Sequence, residues 1–196
     1  MNRSKKITKA LLWLGIILIA LSILIVVAAT VNQKIAATKN TDILKQMDSL
    51  LPEIRGGVYD DRVDMNMPTI EIDGVDFCAI VEVPARSVRL PVCAKYEGGP
   101  LSRFPCINTG SIYDGSLVIS GNGYPGQFDF SKTISIGDSV FVTDMTGARY
   151  AYIVTWAEFK SKISNEYFAS LEADLILLVR NTYSLDYTVI QCSRLS

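Results

Sequence analysis

The distribution of apolar residues divides the chain into a helical N-terminal part and a strand-rich remainder. Residues 10–31 contain no charged residue. A helix of this length, rising about 1.5 Å per residue, covers a hydrocarbon core of about 30 Å. We therefore expect a transmembrane helix over 10–31. The alternative is a cleaved signal peptide, for which Ala28-Ala29 or Ala36-Ala37 would supply the small residues of a cleavage site.

The next segment, residues 32–51, has the periodicity of a helix with one apolar face. The apolar positions are Ile43, Met47, Leu50 and Leu51. Their spacing of i, i+4, i+7 and i+8 places them on one side of a helix, and Pro52 ends the pattern. We expect a juxtamembrane helix that packs on the following domain, then a polar linker over 53–68. Together these form a connecting region over 32–68.

From residue 69 onward the chain is typical of short strands separated by turns. The candidate strands are 76–83, 87–93, 116–120, 139–143, 149–156, 174–180 and 186–193. Segment 149–156 alternates with a period of two, which places Tyr150, Tyr152, Val154 and Trp156 on one face. Leu175–Val179 is continuously apolar, as in a strand buried on both faces. A short helix is expected over 164–172. The pattern predicts a mostly β domain over 69–196, built as a barrel or a sandwich.

Charge gives the orientation. Arg3, Lys5, Lys6 and Lys9 precede the apolar run without any acid, so the positive-inside rule places residues 1–9 in the cytoplasm. The rest of the chain then lies outside the cell membrane. Four of the 19 basic residues lie in this N-terminal segment, so the rest of the chain has 15 basic and 20 acidic residues. A mildly acidic domain without a basic stripe gives no basis for nucleic-acid binding.

Cysteine usage agrees with an extracellular domain. Cys78, Cys93, Cys106 and Cys192 are even in number, and disulfides are expected outside a reducing cytosol. Cys78 and Cys93 flank the turn at 84–86 almost symmetrically. A hairpin there would place the two sulfurs opposite one another, so we expect a Cys78–Cys93 bridge, which leaves Cys106 with Cys192. No CxxC spacing and no histidine occur, so neither a metal site nor a cofactor is expected.

The ordered series of segments resembles the sortase family, nearest to its class B-like members. The matching pieces are Thr69–Gly74, Val83-Pro84, Leu90–Val92, Pro105-Cys106, Gly110-Ser111, Ser116–Asp144, Asp174–Leu177 and Thr188–Cys192. They cover about residues 69–195, nearly the whole domain. The resemblance implies an eight-stranded β-barrel with short helices. It also implies a membrane-anchored cysteine transpeptidase of Gram-positive bacteria, which joins surface proteins or pilins to their acceptor.

The same resemblance implies that the catalytic positions have changed. Sortases need a cysteine nucleophile, a histidine that handles protons and an arginine that steadies the oxyanion. The histidine position is occupied by Asn122, the cysteine position by Arg180, and the arginine position by Tyr187 or, one residue later, Thr188. Neither the asparagine amide nor the guanidinium performs the lost chemistry near neutral pH. We therefore expect no catalytic residue at these positions.

Each of these residues also has a purely structural interpretation. Asn122-Gly123 is a strong signal for a type I′ turn, and Arg180 is equally well a strand-end arginine that reaches solvent. The functional hypothesis is that Asn122, Tyr124, Arg180 and Tyr187 line a peptide-binding groove, in which Arg180 grips a carboxylate or the backbone of an extended peptide.

The sequence predicts a sortase-like pseudoenzyme, anchored in the membrane, that binds a surface-protein or pilin peptide or assists an active sortase. Two alternatives stay open. One is an active enzyme with an unrecognised site, either a cysteine transpeptidase using a free thiol such as Cys106 or Cys192, or a transpeptidase or peptidase using a Ser or Thr hydroxyl. The other is a structural or sensory membrane protein that reuses the barrel. A peptide-sized groove favours binding, whereas a filled groove favours the structural role.

Overall fold

The computed structural model describes residues 2–57, 65–95, 103–164, 167–168, 170–181 and 186–195. The chain forms two compact units, residues 1–36 and 37–196. Part of the expected linker, residues 58–64, and three positions of the expected helix at 164–172 (165, 166 and 169) lie outside the described residues.

A single helix, α1 (Asn2–Leu50), contains both N-terminal segments that were expected to be separate helices. No Gly or Pro lies between residues 31 and 50 to interrupt its backbone hydrogen bonds, so the two segments are continuous. The described large apolar side chains between Leu12 and Val27 are mostly exposed. Within the described part of the chain, no helix has both the length and the apolar character that crossing a membrane requires.

The second unit is a closed β-barrel. Its strands are β1 (Arg55–Gly56), β2 (Ile70–Ile72), β3 (Val75–Val83), β4 (Val88–Cys93), β5 (Cys106–Thr109), β6 (Leu117–Asn122), β7 (Ser139–Asp144), β8 (Ala148–Lys160), β9 (Leu175–Arg180) and β10 (Tyr187–Arg194). The order β8-β10-β9-β6-β5-β4-β3 is closed by β7, which pairs with both β3 and β8. These eight strands confirm the expected barrel, and the short strands β1 and β2 pair at its margins.

The barrel interior is filled by side chains from alternate strand positions. Leu175, Leu177 and Val179 of β9 point into the main core, whereas Ile176 and Leu178 belong to a second apolar cluster on the outer face. The expectation that this strand is buried on both faces is confirmed. On β8, Tyr150, Tyr152 and Val154 are buried in the core, as the alternation predicts.

The C-terminal part of α1 packs on the outside of the barrel. Its buried apolar residues are Ile43, Leu44 and Met47, and Leu51 packs beside them. They cover Phe77 and Phe104, whose rings meet edge to face with centroids 5.1 Å apart. Leu50 is 61% exposed, so the expected apolar face is correct except that Leu44 replaces Leu50.

Alternating charges join the same helix to the barrel surface. Asp48 of α1 receives two hydrogen bonds from the Arg89 guanidinium, at 2.6 and 2.9 Å. Arg89 also contacts Glu82 at 3.2 Å, and Glu82 pairs with Arg149 at 2.8 Å. The hydrogen bonds that Arg89 donates to Asp48 raise the pKa of Arg89 above its ordinary value. Because these side chains are partly exposed, we expect them to fix the helix orientation more than they add stability.

A β-bulge moves Cys78 away from the position opposite Cys93 on which the expected Cys78–Cys93 bridge was based. Residues 79–83 pair with 92–88 in the hairpin register, but the register shifts between Phe77 and Ala79, so that Phe77 rather than Cys78 opposes Cys93. Cys78 therefore faces the barrel core, while Cys93 lies in the cluster under α1. All four cysteines are free thiols in the structure, and Cys192 lies in the barrel core, in a different cluster from Cys106.

A second bulge moves Trp156 off the inward face on which alternation placed it. Gln191 opposes Trp156, but Cys192 opposes Val154, which leaves Thr155 as an extra residue in β8. The side chain of Trp156 is 54% exposed.

The packing of α1 gives a stability prediction. Met47 is fully buried between α1 and the barrel, whereas Leu50 on the same helix is exposed. We expect Met47→Ala to lower the free energy of unfolding by about 2–5 kcal/mol because it leaves a cavity. The control Leu50→Ala should change it by less than about 0.5 kcal/mol. Equal effects in urea unfolding would show that this part of α1 does not pack on the barrel in solution.

Candidate functional site

Strand register brings together three of the four residues expected at the site. In the parallel pair of β6 and β9, Asn122 is the partner of Arg180. In the antiparallel pair of β9 and β10, Tyr187 is the partner of the same arginine. Since Leu177 and Val179 point into the core, Arg180 points to the outer face, and Tyr187 packs beside the outer apolar cluster.

The outer face of these three strands is an apolar floor. It is built by Val118, Ile176, Leu178 and Val189. The segment between β8 and β9 forms one side of it, with Phe168 and Leu171 packed against the floor. Only residues 167 and 168 of this segment are described as helix, so the helix expected over 164–172 is short where it is described.

A cavity of about 450 Å³ opens between this segment and the floor. It is lined by Asn108, Thr109, Ser116, Val118, Phe168, Leu171, Ala173 and Ile176. This volume lies within the usual range for ligand sites. None of the four expected peptide-binding residues lines it. Arg180 lies four positions beyond Ile176 on the same strand, at a distance of about 13 Å.

The loop after β6 is held by its own hydrogen bonds. The side-chain oxygen of Gln127 accepts a hydrogen bond from the backbone N–H of Asn122 at 2.8 Å, and its amide group donates to the Tyr124 hydroxyl at 2.7 Å. Asn40 of α1 donates from its side chain to the Gly126 carbonyl at 2.6 Å. Burial raises the pKa of Tyr124, and a hydrogen bond with Asn122 partly opposes that shift. The Tyr124 hydroxyl therefore stays protonated at neutral pH.

The prediction of a type I′ turn at Asn122-Gly123 is wrong. Such a turn requires positive φ at both residues, but in this loop positive φ occurs at Gly126, with a value of 90°. Asn122 instead ends strand β6, and the Gly123 N–H donates to the Arg180 carbonyl at 2.9 Å. The pairing of β6 with β9 therefore continues through the position where the turn was expected.

Arg180 is exposed, and its charge is available to a ligand. Within the described ranges, no carboxylate lies within ion-pair distance of its guanidinium. The nearby Asp186 instead accepts a hydrogen bond from the Asn181 side chain at 2.7 Å. A guanidinium at the open end of an apolar floor is a good partner for a carboxylate or for backbone carbonyls.

The thiols proposed as alternative nucleophiles do not reach this face. Cys106 and Cys192 are both fully buried. Burial raises the pKa of Cys192 to about 12, so the thiolate that would attack a carbonyl is rare at neutral pH. The chain has no histidine to activate a thiol.

Two residues of this region could not be predicted from the sequence pattern. Gln127 is almost completely buried and supports Asn122, but it follows no periodic pattern. Asn108 lines the cavity and donates to the Ser120 hydroxyl at 3.0 Å. Among the described residues, no three His, Cys, Asp or Glu side chains are gathered as a metal ion would require.

Comparison with solved structures gives the fold a family name. No protein-family model and no curated protein matches the chain. Sortase C-3 from Streptococcus pneumoniae matches with a TM-score of 0.55 and 13% identity, over 84% of this chain and 82% of its own. Sortase A from Corynebacterium diphtheriae matches with a TM-score of 0.52 and 14% identity, again over 84% of this chain and 82% of its own. Sortase C1 from Streptococcus agalactiae matches with a TM-score of 0.53 and 17% identity, over 64% of this chain and 71% of its own.

The chain therefore has the sortase fold. At these identities the likeness establishes the fold and not the reaction. The three structures are of sortases A and C, so they give no support to a nearer resemblance to class B, which stays a prediction.

Proposed function

We propose that this protein is a sortase-like pseudoenzyme that binds an extended peptide of a surface protein or pilin and does not cleave it. The observation that carries the proposal is the position of Arg180. It is exposed at the end of an apolar floor, between its register partners Asn122 and Tyr187, while Cys106 and Cys192 are buried elsewhere.

The chemistry of the site argues against cleavage. Peptide transfer needs a nucleophile, a proton donor for the leaving amine and a donor for the oxyanion. If the resemblance is followed residue by residue, these roles belong to Arg180, Asn122 and Tyr187. A guanidinium stays protonated and is no nucleophile, and an amide side chain does not exchange a proton near neutral pH.

The same groups are suited to holding a peptide. An extended chain points alternate side chains to opposite sides, so one side would meet the cavity while the backbone runs toward Arg180. There the guanidinium would donate to a carboxylate or to carbonyl oxygens. The Tyr187 ring would add a stacking contact, and the Asn122 amide would hydrogen-bond to the peptide backbone. An active sortase that works on the same peptide is the natural partner of such a protein.

We propose in addition that the chain is a single-pass membrane protein, with residues 1–9 in the cytoplasm and the barrel outside. This proposal rests on the charge-free run 10–31 and on the four basic residues that precede it. Attachment to the membrane would place the barrel where surface proteins emerge.

The role of Arg180 is tested with fluorescent sorting-signal peptides of the LPxTG type. We expect Arg180→Ala to weaken binding about tenfold to a hundredfold, because charge-assisted hydrogen bonds are lost. The control Arg55→Ala removes the same charge from an exposed position on β1. A loss confined to peptides with a free C-terminal carboxylate would identify the carboxylate as the group bound. Unchanged binding by Arg180→Ala would remove the support for this site.

Restoring the three family residues tests whether the site is a degenerate one. The variant Asn122→His/Arg180→Cys/Tyr187→Arg should release the C-terminal fragment of the peptide, since the register holds these positions side by side. The control Asn122→His/Arg180→Ala/Tyr187→Arg lacks the thiol and should stay inactive. Cleavage by the natural protein would instead require a different nucleophile and would disprove the proposal.

Membrane attachment is tested by fractionation of cells that express the full chain. We expect the protein in the membrane fraction after a high-salt wash and its barrel accessible to external protease. The change Leu18→Lys/Leu21→Lys should release much of it, since a lysine at the centre of a span costs about 2.5–3.5 kcal/mol. The matched change Leu50→Lys, at an exposed position of the same helix, should have no effect. Recovery of the natural protein in the soluble fraction would contradict the proposal.

A further inference from the structure

Among the neighbouring strands of the barrel, β4 and β5 share the fewest paired residues. Their register contains one residue pair, Cys93 opposite Cys106, supported by a hydrogen bond from the Cys93 N–H to the Pro105 carbonyl at 2.9 Å. On either side, β3 pairs with β4 over six positions and β5 pairs with β6 over three. The two cysteines therefore occupy the place where the closed sheet has the least backbone pairing.

The geometry of this pair suits a disulfide. Directly opposed residues on neighbouring strands lie about 5 Å apart at Cα, inside the range of about 4.4–6.8 Å that a bridge needs. Cys93 and Cys106 are both buried in the apolar cluster that α1 covers, where the Cys106 thiol donates to the Phe104 carbonyl at 3.6 Å.

The other two cysteines are placed differently. The bulge turns Cys78 to the barrel interior, where its thiol donates to the Val92 carbonyl at 3.6 Å. Cys192 lies on β10, which is separated from β5 by β9 and β6. Three strand spacings amount to about 14 Å along the sheet, twice the separation that a bridge tolerates.

We propose that Cys93 and Cys106 form a dithiol site that oxidises to an intramolecular disulfide and closes the seam between β4 and β5 covalently. The oxidant is a small disulfide such as oxidised glutathione. One cysteine thiolate attacks it and releases one glutathione thiol. The second cysteine then attacks the mixed disulfide and releases the other. Two thiols become one disulfide, and the two electrons and two protons leave with two molecules of reduced glutathione.

Burial determines when this reaction takes place. The pKa of Cys93 is strongly raised by its hydrogen bond with Cys106 and by burial. The folded dithiol therefore contains little thiolate and reacts slowly. Oxidation takes place while the chain folds, before α1 covers the pair, and the finished bridge is shielded from reductants by the same packing.

The bridge also supports the candidate site. Strand β5 pairs with β6, which ends in Asn122, and Asn108 of β5 donates to the Ser120 hydroxyl of β6. A covalent link between β4 and β5 thus holds the strand that carries one edge of the site. This inference does not depend on whether the site binds a peptide.

The test uses the full chain in detergent, reduced and denatured in guanidinium chloride and then refolded in a buffer of reduced and oxidised glutathione. Remaining thiols are alkylated after denaturation, and the digest is mapped by mass spectrometry. We expect the Cys93 and Cys106 peptides to be linked, and Cys78 and Cys192 to carry the alkyl label. A dominant bridge that includes Cys78 or Cys192, or four labelled cysteines, would overturn the proposal.

Stability supplies the second measurement. Reduction should lower the urea midpoint of the oxidised protein by about 1 M, since a bridge that closes the loop from Cys93 to Cys106 constrains the unfolded chain. The control Cys78→Ser/Cys192→Ser should keep this response to reductant, and Cys93→Ala should lose it. Because the mapping is done on the natural sequence, it stays decisive even if Cys93→Ala fails to fold. A midpoint that reductant leaves unchanged in the natural protein would contradict the proposal.

Discussion

The pairing of β9 with β6 on one side and with β10 on the other is the constraint on which the rest of this molecule depends. It places Leu175, Leu177 and Val179 at the centre of the core, and Ile176 and Leu178 on the floor of the outer face. A shift of one residue would exchange these two sets of side chains. The same register sets Asn122 and Tyr187 on either side of Arg180. Core packing and the candidate site are therefore fixed by one set of backbone hydrogen bonds.

The chemistry at this position follows from the residue type at the end of β9. A cysteine at the end of β9 would give a nucleophile, whereas Arg180 gives a fixed positive charge in the same place. The surrounding structure consists of the apolar floor, the cavity beside it and the hydrogen-bonded loop after β6. Such a combination is suited to recognition, because recognition needs the shape and the donors of the groove but not the proton transfers.

Much of the barrel could be predicted from periodicity, because alternation of apolar residues reports which face of a strand is buried. Seven strands, including β9, lie close to their expected positions. The four-residue strand β5 was missed because it is too short to show a period. Cys78 and Trp156 were misplaced by bulges, which change the backbone pairing without changing the apolar pattern. The resemblance proposed Asn122, Arg180 and Tyr187 for the site, and the strand register brings these three together. It could not identify Gln127, since its role comes from a hydrogen bond and not from a sequence pattern.

The position of β10 has a consequence for the order of assembly. This strand follows both β8 and β9 in the chain, yet it lies between them and pairs with each. Until it is added, β8 and β9 each present an unpaired edge that another chain can join. The parallel pairing of Leu117 with Leu175 also joins distant parts of the sequence, which slows folding. A newly made chain is therefore most exposed to aggregation and proteolysis in the interval before this one strand is inserted.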